Sequence, residues 1–259
     1  MKILGVDIGG SGIKGAVVDT QSGELLTERL RIKTPQPATP EAIAATLKDL
    51  VQQIGWDGPV ACGFPARVIH GIVYTAANID KSWINTEIES LFSKTLNTPV
   101  YVANDADVAG LAEMHFGAGR DYQQGTQALF LTIGTGIGSA LFLNGKLYAN
   151  TELGHIKFHG DSAERYCSDA AREREDLKWK EFGQRFNEYL TYVEFLLQPD
   201  VIILGGGASK KLDKYAECFT VKTKVIPAET LNLAGIIGAA MYGELRLKED
   251  GASKIKSEH

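Results

Sequence analysis

The chain has 259 residues and a mass of 28.1 kDa, enough to bury a core in one large domain or two modest ones. With 44% hydrophobic and 23% charged residues it has the composition of an ordinary folded protein, which excludes a disordered or fibrous chain. A formal net charge of -5 argues against a broadly basic nucleic-acid surface, and no run approaches the roughly 20 apolar residues of a membrane span, so neither partner is expected.

Three strands open the chain, in "KILGVD", "KGAVVD" and "GELLTERLRI", with "TQSG" marking a tight turn before the third. Asp7 interrupts the first apolar run too early for a signal peptide. Cys62, Cys167 and Cys218 are odd in number, far apart and without CxxC spacing. That suits a reducing compartment, and a cytoplasmic location is expected. In "TPEAIAATLKDLVQQIG" a helical face collects Ile43, Leu47, Leu50, Val51 and Ile54, with Thr39 as N-cap, Pro40 at the first helical position and Gly55 as the stop.

A strand in "PVACGF", a helix near Glu87 to Thr95, the strand "VYVAND" and the helix "ADVAGLAEMHFG" follow. At Ala128 the strand pattern restarts as "ALFLTIG", "GSALFLNG" and "KLYAN". A helical tract from about Asp169 to Leu197, the strand "DVIILGGG", the helix "AGIIGAAMYGELRL" and a frayed polar tail complete the reading. Two meanders, each with its own helices, predict two similar lobes. The first is expected over residues 1–104, completed by the C-terminal helix at about 236–259, and the second over 105–235.

The two meanders share a phrase: "DIGGSGIKGAVVD" and "TIGTGIGSALFLN" align after a one-residue gap. In each, a strand enters a turn of glycines and small hydroxyls and returns as a strand; glycine permits positive φ and close approach of a ligand, and exposed N–H groups cradle phosphate oxygens. A dinucleotide fingerprint would open a helix, and a Walker A loop needs GxxxxGK[ST]; neither fits. The copies differ in chemistry, because Asp7 and Lys14 stand where the second has Thr132 and Gly138. Asp105, between a strand and a helix, either caps that helix or presents its carboxylate at a strand end; Asp107 could cap equally well. "TELGHIKFHGDSAE" gathers Glu152, His155 and Glu164, acceptors and donors suited to a polyhydroxylated substrate.

Paired phosphate turns in two lobes resemble the actin-like ATPase, or ribonuclease H-like, α/β fold with a central cleft. Within it, "DIGGSGIK", "NDADVAG", "TIGTGIGS", "ELGH" and "LGGGAS" resemble the ROK group of bacterial sugar kinases and repressors, in the same order and over nearly the whole chain. The resemblance implies Asp105 as general base, with Asn78, Asn104, Glu152, His155 and Glu164 on the sugar. It further implies Gly9, Gly10, Ser11, Lys14, Thr132, Gly134, Thr135 and Gly136 around the transferred phosphoryl group. Gly205, Gly206 and Gly207 would lie against the adenosine of ATP, and Asp7 would organise a hydrated Mg²⁺.

Many ROK members carry a CxCGxxGCxE zinc motif after the ExGH histidine; here that segment holds Cys167 alone, so no zinc site is expected. "NIDKSW", "ELGHIKFHGDSAE", "AREREDLKWKEFGQRFNEYL" and "LGGGASKK" resemble the ROK kinases that phosphorylate glucose from inorganic polyphosphate, with ATP as a second donor and a homodimer as the usual assembly. A polyanion would need a cationic track, for which Lys81, Arg172, Arg174, Lys178, Lys180, Lys210, Lys211 and Lys214 are candidates, although mixed signs also suit a solvated helix face. A strictly ATP-dependent glucokinase or mannokinase is the alternative. A DNA-binding repressor is disfavoured because the first strand begins at about Lys2, without room for a helix-turn-helix.

Overall fold

The structure is a computed structural model that describes residues 1–77 and 79–257. The chain forms two compact units, 1–112 with 232–259, and 113–231.

In the first unit, β1 (Lys2–Gly9) and β2 (Gly12–Asp19) form an antiparallel hairpin, and β3 (Leu30–Ile32) extends it. Helix α1 (Pro40–Ile54) begins and ends on its predicted signals: Thr39 Oγ1 accepts from Ala42 N–H, and Gly55 is left-handed at φ 72°. Next come β4 (Val60–Phe64), a small hairpin of β5 (Val68–Ile69) and β6 (Ile72–Val73), α2 (Ile88–Leu96), β7 (Val100–Asn104) and α3 (Asp105–Phe116). The sheet order is β3-β2-β1-β4-β7, with β4 and β7 parallel to β1. Val6, Ile8, Ile13, Leu47, Leu50, Phe64, Trp83 and Phe92 fill its core; each such side chain contributes about 1.5–3 kcal/mol of burial free energy.

The second unit repeats the plan. Strands β8 (Gln127–Ile133), β9 (Ile137–Leu143) and β10 (Lys146–Tyr148) form the meander, and a short hairpin joins β11 (Lys157–Phe158) to β12 (Asp161–Ser162). Then follow α4 (Ala163–Cys167), α5 (Asp169–Arg174), α6 (Trp179–Leu197), β13 (Val201–Gly205) and β14 (Lys224–Pro227). The order β10-β9-β8-β13-β14 matches the first sheet, with β13 and β14 parallel to β8. This duplicated mixed sheet is the actin-like ATPase fold. The chain then returns to the first unit as α7 (Ala234–Ser257). It lies close on β1 and α3: a Cβ at Gly5 would stand 2.0 Å from the Ile236 carbonyl oxygen, and one at Gly238 1.6 Å from that of Val108.

Three expectations are corrected and one strand is added. Strand "GELLTERLRI" is reduced to an isolated bridge of Leu25 with Val18 and to β3, and between them Thr27 Oγ1 accepts the Val17 N–H that a backbone carbonyl would otherwise take. The tract from Asp169 to Leu197 is two helices: Asp176 is left-handed at φ 48°, and Glu181 accepts the Lys178 N–H to start α6 afresh. Strand β14 lacked an apolar run long enough to announce it. The polar tail is helical through residue 257, anchored upstream by Lys248 on Glu244 (2.6 Å) and by the Tyr101 hydroxyl donating to Asp250 (2.8 Å).

Candidate active site

In the first unit the β1–β2 turn spans Gly9 to Gly12, which pair across the ladder, leaving Gly10 and Ser11 as the loop. In the second, Ile133 pairs with Ile137 and the loop is Gly134-Thr135-Gly136, closed by a 3.0 Å bond from Gly134 N–H to the Gly136 carbonyl. The register sets Asp7 opposite Lys14 and Thr132 opposite Gly138. None of Gly9, Gly10, Gly12, Gly134 and Gly136 is left-handed, so the anticipated use of positive φ is corrected. What glycine supplies is room: a Cβ at Gly10 or Gly134 would meet nothing within 4 Å. Each turn therefore exposes bare backbone at its tip.

Asp7 and Lys14 form an ion pair of 3.1 Å, both half-buried. Thr34 donates to the Gly9 carbonyl (2.5 Å), and Arg31 donates to that of Ser11 (2.8 Å). The start of α7 meets the same carboxylate, since a Cβ at Gly235 would lie 3.1 Å from Asp7 Cγ. The positive end of that helix therefore stands by Asp7. A single carboxylate fits Mg²⁺, which retains several waters and takes one or two protein carboxylates with substrate phosphates. Among the described residues no cluster of three or more His, Cys, Asp or Glu is placed to hold a metal ion.

Asp105 is the first residue of α3 and half-buried. The start of that helix is held by both residues: Asn104 Oδ1 accepts from Ala106 N–H (2.9 Å) and Asp107 N–H (3.2 Å), Asp105 Oδ1 accepts from Ala106 N–H (2.8 Å), and Asn104 Nδ2 donates to the Ala66 carbonyl (3.3 Å). One Nδ2 hydrogen remains for a ligand. Asn78 lies outside the described residues.

In the second unit Glu152, His155 and Glu164 come together. His155 Nε2 lies 3.5 Å from Glu152, and its Nδ1 3.6 Å from Glu164. Glu164 also reaches the glycine turn, accepting from Ile137 N–H at 3.3 Å. Ser139 positions the acidic segment: its hydroxyl donates to the Thr151 carbonyl (2.7 Å) and accepts from Leu153 N–H (3.0 Å). Gly154 is required for this approach, because a Cβ there would lie 2.1 Å from the Ile137 carbonyl oxygen. Gly206, left-handed at φ 82°, brings the turn after β13 against Ile133; Gly207 lies near Asp169. That turn, the β8–β9 turn and the start of α5 are neighbours, since Ala170 N–H donates to the Gly134 carbonyl (3.1 Å).

Part of the candidate cationic track is neutralised. Arg172 pairs with Asp169 (2.7 Å) and Glu173 (3.2 Å), Arg174 with Glu175 (2.8 Å), and Lys178 with Asp176 (3.8 Å). Lys81, Lys180, Lys210, Lys211 and Lys214 make no ion pair among the described residues. Arg31 was missed; the signal was its register opposite Lys14, hidden by the over-long third strand.

Residues 3–173 match the model of the ROK family. The chain is 44% identical over 239 residues to polyphosphate glucokinase of Mycobacterium tuberculosis, covering 92% of this chain and 89% of that protein. It is 42% identical to the Mycobacterium leprae polyphosphate glucokinase, again over 92% of this chain but 73% of the relative. The crystal structure of the inorganic polyphosphate/ATP-glucomannokinase from Arthrobacter sp. strain KM superposes with a TM-score of 0.89 at 45% identity, covering 95% of this chain and 99% of that one. A ROK family glucokinase from Streptomyces griseus shares the fold at 24% identity, with a TM-score of 0.79 over 95% of this chain and all (100%) of that one. The chain belongs to the ROK family.

Proposed function

We propose that the protein phosphorylates glucose at its 6-hydroxyl from inorganic polyphosphate, with ATP as a second donor, giving glucose 6-phosphate. The observation that carries this reading is the 42–44% identity, over 92% of the chain, to proteins known as polyphosphate glucokinases. The site geometry supports it through two open glycine turns, a carboxylate at a strand end and a carboxylate–imidazole–carboxylate cluster.

In this reading Asp105 accepts the proton as O6 attacks the terminal phosphorus; the new O6–P bond replaces the P–O bond to the rest of the donor, which departs one phosphate shorter. Positioning and electrostatics supply most of the rate. Glu152, His155, Glu164 and the free Nδ2 hydrogen of Asn104 hold sugar hydroxyls, as does Asn78. The turns at Gly9–Ser11 and Gly134–Gly136, with Thr132 and Lys14, receive phosphate oxygens, and Gly205–Gly207 the adenosine of ATP. Asp7 would hold Mg²⁺ through water, which would supply positive charge against the phosphate oxygens. The two compact units act as the two lobes of the kinase, and the enzyme works as a cytoplasmic homodimer; its cysteines are free thiols, two of them buried, as a reducing compartment allows.

The test is a coupled glucose 6-phosphate assay with long-chain polyphosphate, ATP and GTP at matched Mg²⁺, with mannose as a second acceptor. Turnover is expected with glucose and polyphosphate, and its loss with EDTA. Activity with ATP alone would replace this reading by that of an ATP-dependent glucokinase or mannokinase.

A further inference from the structure

Across the first sheet two rows of side chains run in register on opposite faces. Ile8, Ile13 and Ile32 are paired and turn into the core. One residue along, Asp7 pairs with Lys14 and Lys14 with Arg31, so the three charges form a row on the other face, beside the glycine turn. Their balance is uneven. Asp7 neutralises Lys14 at 3.1 Å, whereas Arg31 meets only the Ser11 carbonyl and has no carboxylate partner among the described residues.

Arg31 is exposed yet held. One guanidinium nitrogen is fixed at 2.8 Å on Ser11, and the group lies over Gly12, where a Cβ would come within 2.5 Å of its Nε. The fork is thus aligned along the turn, with its remaining N–H donors unclaimed. A fixed guanidinium with free donors matches the geometry of phosphate oxygens. Gly10 leaves the space beside it open.

We propose that Arg31 is a donor-binding residue that holds phosphates of an inorganic polyphosphate chain beyond the group being transferred. Lys14, already balanced by Asp7, serves the transferred group, and Arg31 supplies the uncompensated charge that a longer polyanion needs. This assignment rests on the polyphosphate reading above.

The test compares wild-type protein with Arg31→Gln. In glucose phosphorylation at two salt concentrations, the variant is expected to raise KM for long-chain polyphosphate by about tenfold or more, the scale of one lost charge-assisted contact. The rise in KM for ATP should be smaller and the salt dependence of the polyphosphate KM shallower, because one fewer cation is engaged. Calorimetric titration with tripolyphosphate should show the same loss of affinity at an unchanged melting temperature. An unchanged polyphosphate KM, equal rises for both donors, or a lowered melting temperature that accounts for the loss overturns the assignment. Wild-type protein inactive with polyphosphate would instead sink the functional reading, and the tripolyphosphate titration would still decide whether Arg31 binds the anion.

Discussion

Asp105 and Asn104 are adjacent and share the start of α3. Asn104 Oδ1 accepts from Ala106 and Asp107 N–H and Asp105 Oδ1 also accepts from Ala106 N–H, so the helix start keeps its acceptors when the Asp105 charge is removed. Asp105→Asn is therefore expected to fold, losing at most the ~0.3–1 kcal/mol that a charge gives a helix N-terminus. Its turnover of glucose should drop about 10²–10⁴-fold, the usual contribution of a general base. Steady-state kinetics beside a thermal melt check this; near-wild-type turnover would remove Asp105 from the chemistry. Asn104, Glu152 and His155 were identified from motif phrases, whereas Glu164 was matched only by its distance downstream. The tertiary structure alone places Glu164 against both His155 and the Ile137 amide.

At the scale of elements, the edge strand β14 is tethered to α6 by one carboxylate. Glu194 accepts from Thr223 N–H at 2.6 Å, immediately before the strand. Burial raises its pKa, but the hydrogen bonds from the Thr223 backbone and side chain and the Lys222 backbone, with the Lys222 charge, outweigh it and hold the group below its usual 4.5. A carboxyl whose folded pKa is depressed stabilises the fold above its unfolded pKa and loses that contribution as pH falls through the folded value. Glu194→Gln should therefore cost about 1 kcal/mol at pH 7, discounted for solvent screening. Its melting temperature should converge on that of wild type below pH 4.5. Melts across a pH series check this; a constant gap would mean the charge is not what holds the strand. Both meanders and α1 were legible because their apolar periodicity and caps are local. Strand β14 and the break before α6 were not, since each depends on a carboxylate supplied by another part of the chain or by the next turn of helix.

For the whole molecule, the chain passes from the first compact unit to the second after Ala112 and returns after Leu231. Glu113 stands at the first crossing, fully buried, and its carboxylate accepts from Ala118 N–H (3.1 Å), Glu229 N–H (3.0 Å), Thr230 N–H (2.7 Å) and the Thr230 hydroxyl. One side chain thus ties the exit to the return, 117 residues apart. Glu113→Ala would leave three part-buried amides without their acceptor and should cost on the order of 3 kcal/mol. A denaturant titration measures it; a cost below about 0.5 kcal/mol, the range of ordinary surface changes, would show that water replaces the carboxylate.

The sequence by itself determined the duplicated meanders and the two glycine turns, because hydrophobic alternation and turn residues act between neighbours in the chain. Only the tertiary structure decided that Glu113 closes the crossings, that Glu164 joins the carboxylate–imidazole cluster, that α7 stays helical through its polar tail, and that Arg31 stands over the first turn. Each of these depends on a contact between residues distant in sequence, or on the register between strands, and no local pattern encodes the distance at which such groups meet.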